Sequence, residues 1–121
     1  MRDSLLDSYI TKTIAIDLDG TLTDRSENLT CVGPLKSGAV NAVKYFVSRG
    51  FVVFIYTARG DLRPVYEFIR KSPLSNLVEI TNAKPPCVMY IDDRGYRFQG
   101  DWFQTMKDVK EILNKDHKIV I

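Results

Sequence analysis

The chain has 121 residues and a formal net charge of +2, a length that fits one domain over residues 1–121 and a charge too small to argue for nucleic acid or a membrane surface. With 45% hydrophobic and 26% charged residues it has the mix of an ordinary globular protein, not of a disordered or fibrous one. The longest apolar run, Phe51 to Tyr56, is far too short to span a bilayer, and Met1 to Asp7 lacks the apolar core of a signal peptide. The expectation is therefore a cytoplasmic protein with no membrane partner. Cys31 and Cys87 stand in no metal-like spacing and read as idle thiols in a reducing compartment.

Five segments read as strands. The first, Lys12 to Leu18, ends in Asp17-Leu18-Asp19-Gly20-Thr21. A helix over Ser37 to Arg49 follows, with Val40, Val43, Phe46 and Val47 at helical spacing and Gly50 as its stop signal. The second strand, Phe51 to Thr57, is continuous enough to be buried on both faces. A helix over Asp61 to Lys71 carries Val65, Phe68 and Ile69, with Asp61 placed as N-cap. Leu77 to Ile80 and Cys87 to Ile91 are the third and fourth strands. A helix over Asp101 to Asn114 leads to the fifth, His117 to Ile121. Strands alternating with helices predict βαβ units, and so a mostly parallel sheet covered on both faces. Ligand sites in such sheets gather beyond the carboxyl ends of the strands, where the strand order reverses.

The candidate residues sit at those ends. Asp17 and Asp19, one residue apart on a strand end, point the same way. Two like charges so placed call for a cation, a shared proton or a reaction that uses them. Asp-x-Asp-Gly also opens calcium loops and helix-capping turns, but the Glu that closes an EF-hand loop is absent. Thr57, after the second strand, offers a hydroxyl and the Ala58 N–H to an anion, or else a helix cap. Arg59 adds a positive charge at the mouth, or is a solvated loop residue. Lys84 precedes Pro85-Pro86, which stiffen its backbone. Asp92-Asp93 end an apolar strand and suit a hard cation such as Mg²⁺. Tyr96, Phe98, Trp102 and Phe103 read as core packing around the last helix.

In this order, Asp17-Leu18-Asp19-Gly20-Thr21, Thr57, Lys84 and Asp92-Asp93 resemble the four motifs of the haloacid dehalogenase-like (HAD) superfamily, spanning the chain from first strand to fourth. The resemblance implies a three-layer, Rossmann-like, doubly wound fold with a five-stranded sheet. It makes Asp17 the nucleophile that attacks phosphorus and Asp19 the general acid–base. Mg²⁺ would be held by Asp17, the main-chain carbonyl of Asp19 and Asp93, with Asp92 either a further ligand or the residue that orients Lys84 or a metal-bound water. Thr57, Ala58, Arg59 and Lys84 would hold the phosphoryl oxygens. The second aspartate points to a phosphatase rather than a dehalogenase.

Members of the family often carry a cap domain, but Leu22 to Lys36 leaves room only for a short flap, so no sizeable cap is expected. An open site suits a large substrate, or a neighbouring subunit serving as lid in a homo-oligomer. Asp92-Asp93-Arg94 and Thr57-Ala58-Arg59 also resemble the phosphatase domain of polynucleotide kinase-phosphatases, which adds a nucleic-acid end to the small phosphorylated metabolites as substrate. Arg59, Arg63, Arg94 and Arg97 near the same edge suit a substrate with more than one anionic group. From a different class, a phospho-accepting receiver domain shares the toolkit but places its adjacent acids on the first strand.

Overall fold

The computed structural model describes residues 10–92 and 96–117. Its elements run β1 (Thr13–Asp17), α1 (Ala39–Ser48), β2 (Val52–Tyr56), α2 (Arg63–Arg70), β3 (Val78–Thr81), β4 (Met89–Ile91) and α3 (Trp102–His117). The sheet has the order β3-β2-β1-β4, and every pairing is parallel. From β1 the chain steps to β2 and β3 on one side, then crosses back to lay β4 on the other side of β1. The strand order thus reverses beside β1, where an open α/β sheet forms its crevice.

Register decides which side chains meet. Ile14 lies level with Val53 and Met89, and Ile16 with Ile55 and Ile91. Parallel neighbours at one level share a face, so these six form an apolar surface, which Val78 and Ile80 of β3 extend. Ala42, Val43 and Phe46 of α1, Val65 and Ile69 of α2, and Trp102, Val109 and Leu113 of α3 complete one core cluster with them. Full burial of a side chain such as Phe46 or Ile16 stabilises the fold by about 1.5–3 kcal/mol.

One sequence expectation is corrected. The described sheet has four strands, not five. His117, expected to open the fifth strand, ends α3 instead, and residues 118–121 lie outside the described part. The buried side chains of all three described helices belong to one core cluster with Ile14 and Ile16, and on the other face of β1 Thr13 and Ala15 are buried as well. Right-handed crossovers through α1 and α2 put both on one face, and the return from β3 to β4 runs as a loop. That loop lays Lys84 near the rings of Tyr56 and Tyr90, and the Tyr90 hydroxyl donates to the Pro85 carbonyl.

Local chemistry trims the element ends. Leu77, expected to start the third strand, donates its N–H to the Leu74 carbonyl in a turn, so β3 begins one residue later. The N-cap of α2 is Leu62, without a side-chain cap. Asp61, expected there, still accepts from the Arg63 backbone N–H at 3.1 Å and pairs with the Arg63 guanidinium. That pair holds the Asp61 carboxyl well below its usual range, at about 2.

Candidate active site

The first strand's end is built for a tight reversal. Leu22 donates to the Asp17 carbonyl at 3.1 Å, while Thr23 sends both its N–H and its hydroxyl to the Leu18 carbonyl. Gly20 makes the turn at φ +83°, a left-handed conformation that a side chain would strain. Trp102, buried at the start of α3, donates its indole N–H to the Thr21 carbonyl at 3.1 Å and fixes the loop from the far side. The loop that presents Asp17 and Asp19 is therefore anchored to the core.

Residues 22–36 form the short flap expected from the sequence. Asp24 donates to the Pro34 carbonyl and Lys36 to that of Leu22, closing a small hairpin that the Lys36–Asp24 ion pair at 3.0 Å reinforces. Gly33 is required by close approach, since a Cβ there would sit 2.2 Å from the Asp24 carbonyl oxygen. At the tip, Asn28 Oδ1 accepts from the backbone N–H and the hydroxyl of Thr30.

Thr57 follows β2 directly and is buried, with its N–H on the Thr81 carbonyl. Its Oγ1 accepts the Arg59 N–H at 3.2 Å, which leaves the hydroxyl proton as a donor. Ala58 is exposed at the same edge.

Arg59 stands elsewhere than expected. It is 6% exposed, and its guanidinium turns toward Asp19 rather than out to the mouth. Nε donates to Asp19 Oδ2 at 3.0 Å and Nη2 to Oδ1 at 2.7 Å, while Nη1 donates to the Leu29 and Cys31 carbonyls at 3.1 and 2.8 Å. The Asp19 hydrogen bonds hold the Arg59 guanidinium protonated beyond its ordinary range.

Lys84 Nζ lies 3.3 Å from Asp92 Oδ2, and Asp92, at the end of β4, is 6% exposed. Asp92 donates its N–H to the Tyr96 carbonyl at 2.9 Å and Tyr96 donates to that of Tyr90 at 2.7 Å. Asp93 and Arg94 fall outside the described residues. Among the described residues no three His, Cys, Asp or Glu side chains gather as a metal site. The oxygen donors of Asp17 and Asp92 suit a hard cation in chemistry, but they make an incomplete set without Asp93.

The structure brings Asp17, Asp19, Thr57, Ala58, Lys84 and Asp92 to the carboxyl ends of three adjacent strands, β2, β1 and β4. It takes Arg63 out to an exposed pair with Asp61. Two residues went unnoticed in the sequence. Arg25, exposed on the flap, places its guanidinium where it would lie 3.4 Å from a Cβ on Gly20. Tyr90 carries Lys84 Nζ 4.4 Å from its ring centroid. The aromatic group after the acids splits: Trp102 is core, 5.1 Å from Phe98 between ring centroids, and Phe103 is 75% exposed. A groove of about 790 Å³ lies between α2 and β3, lined by residues such as Ile69, Val78 and Ile80; Arg63 lines it, and Asp17, Asp19, Thr57, Lys84 and Asp92 do not.

No protein-family model matches the chain, and no curated protein matches it. A solved structure, that of a conserved protein from Bacteroides thetaiotaomicron, is similar with a TM-score of 0.64 and 22% identity, over 84% of this chain and 91% of that one. At that identity the likeness speaks for the α/β fold alone. No described helix is long and apolar enough to cross a membrane.

Proposed function

We propose that the protein is a cytoplasmic, Mg²⁺-dependent phosphomonoesterase of the HAD type that works through an aspartyl-phosphate. The observation that carries the reading is the meeting of Asp17, Asp19, Thr57 and Lys84 at one carboxyl edge, beside the strand-order reversal. Lys84, held against Asp92 and two tyrosine rings, supplies an aimed positive charge for a phosphoryl oxygen. Thr57 and the Ala58 N–H supply hydrogen-bond donors. The fuller fold that this reading implies, three layers with a fifth strand, needs residues 118–121 beside the sheet.

In the first step the Asp17 carboxylate oxygen forms a bond to phosphorus, the bond from phosphorus to the ester oxygen breaks, and Asp19 gives its proton to the departing oxygen. In the second a water oxygen attacks phosphorus and gives its proton to Asp19. The bond to Asp17 breaks, so inorganic phosphate leaves and both carboxyl groups return to their starting forms. Mg²⁺, held by Asp17, the Asp19 carbonyl and Asp93 or Asp92, would supply charge neutralisation between carboxylate and phosphoryl group. The test is phosphate release from a panel of phosphorylated sugars, nucleotides and 3′- or 5′-phosphorylated oligonucleotides, with Asp17→Asn and Asp19→Asn beside the parent. Release that Asp17→Asn abolishes supports the reading; no release, or equal release from Asp17→Asn, ends it.

A further inference from the structure

We infer that Arg59 is a positioning residue that fastens the flap tip to Asp19, so that the flap's seat over the edge and the orientation of the acid–base carboxylate are set together. The inference rests on the phosphatase reading for the role of Asp19. Its physical basis is the guanidinium fork. One planar group with fixed donor directions meets both Asp19 oxygens through Nε and Nη2 and two flap carbonyls through Nη1. Each Asp19 oxygen has a second lone pair, so the fork orients the carboxylate without using all of its acceptor sites.

Asn28 and Thr30 shape the tip through local bonds and Leu29 is 65% exposed. Val32 and Leu35 pack part-buried against the core behind it, and Arg59 adds the polar tie that reaches the carbonyls of Leu29 and Cys31. At its other end the Arg59 backbone is tied to the site, its N–H on Thr57 Oγ1 and its carbonyl accepting from Asn82 Nδ2 at 3.4 Å. Arg59 therefore joins the flap, Asp19 and the Thr57 loop.

A phosphate-binding arginine and a positioning arginine leave different kinetic marks. Asp19 protonates the departing oxygen, which matters for a poor alkoxide leaving group and little for p-nitrophenolate. In Arg59→Ala, kcat/KM for glycerol 2-phosphate should fall about ten- to a hundredfold further than for p-nitrophenyl phosphate, a part of the roughly 10²–10⁴-fold that general-acid catalysis contributes, because Asp19 itself stays in place. Inhibition by inorganic phosphate should stay unchanged, and flap amides 28–32 should exchange hydrogen faster than in the parent. Arg59→Lys keeps the charge without the fork and should show the same selective loss. Gly33→Ala, which forces the flap hairpin apart with Arg59 in place, should show it in weaker form.

Equal loss on both substrates with weakened phosphate inhibition would make Arg59 a phosphate ligand and overturn the inference. So would full activity in Arg59→Lys, or a loosened flap in Gly33→Ala with an unchanged substrate ratio. If the parent protein hydrolyses neither these substrates nor any member of the phosphomonoester panel, the phosphatase reading has failed, and flap exchange in Arg59→Ala still decides the fastening: faster exchange supports it and unchanged exchange overturns it.

Discussion

Lys84 Nζ stands 3.3 Å from Asp92 Oδ2, with the Tyr90 ring centroid 4.4 Å away. The lysine comes from a loop and the aspartate from the end of β4, so the ion pair ties the β3–β4 connection to the sheet beside β1. The Tyr90 hydroxyl bond to the Pro85 carbonyl holds the loop where Lys84 leaves it. A side chain with four rotatable bonds is thereby restrained by a carboxylate, a ring and a proline-stiffened backbone.

Replacing that lysine tests the aim. Lys84→Met keeps an unbranched side chain one atom shorter and removes its charge, and phosphate release should fall about 10²–10³-fold, as for loss of a single electrostatic donor in a reacting site. Lys84→Arg should restore only part of it, because a planar fork does not reproduce a point charge over the Tyr90 ring. Steady-state phosphate release from both variants checks this, with circular dichroism to confirm the fold.

The loop anchor is a stability feature. Trp102→Phe keeps an aromatic ring in the core but deprives the Thr21 carbonyl of its 3.1 Å donor. An unsatisfied buried acceptor costs about 1–3 kcal/mol, and the smaller ring adds to this. Urea denaturation should show a fall in that range. A variant as stable as the parent would mean the indole does not hold the loop.

The two cysteines should differ at alkaline pH. Burial pushes the Cys87 thiol above its ordinary 9.0, whereas Cys31 is exposed. The folded state therefore keeps the Cys87 proton to a higher pH than the unfolded chain does. Its contribution to stability is complete below about pH 9 and is lost as pH rises through the folded value. The stability gap between the parent and Cys87→Ala should narrow between neutral pH and the alkaline range, read from urea midpoints. A gap independent of pH would contradict the shift. Iodoacetamide at neutral pH should modify Cys31 first.

Much of the frame was legible because its signals are local and periodic. The apolar run Val53 to Ile55 and the helical spacing of Val43 and Phe46 mark β2 and α1 in any reading. Asp17, Thr57, Lys84 and Asp92 follow from one rule about strand ends, once the strands are located. What the sequence hid is tertiary. The bond between Arg59 and Asp19 spans 40 positions, and no pattern distinguishes an arginine facing solvent from one turned inward. Tyr90 looked like an ordinary strand residue, since its partner Lys84 reaches it only through the fold of the Pro85-Pro86 loop. His117 followed a helix and preceded apolar residues, which reads as a strand start, yet α3 continues through it.

The most direct measurement is of the nucleophile. Protein mixed with Mg²⁺ and a turned-over phosphomonoester would be quenched in acid, reduced with borohydride and analysed by peptide mass spectrometry. An aspartyl-phosphate is reduced to homoserine, so the account predicts homoserine at position 17, absent without substrate and absent in Asp17→Asn. Phosphate release with no modification at Asp17, or with the modification at another aspartate, would contradict it.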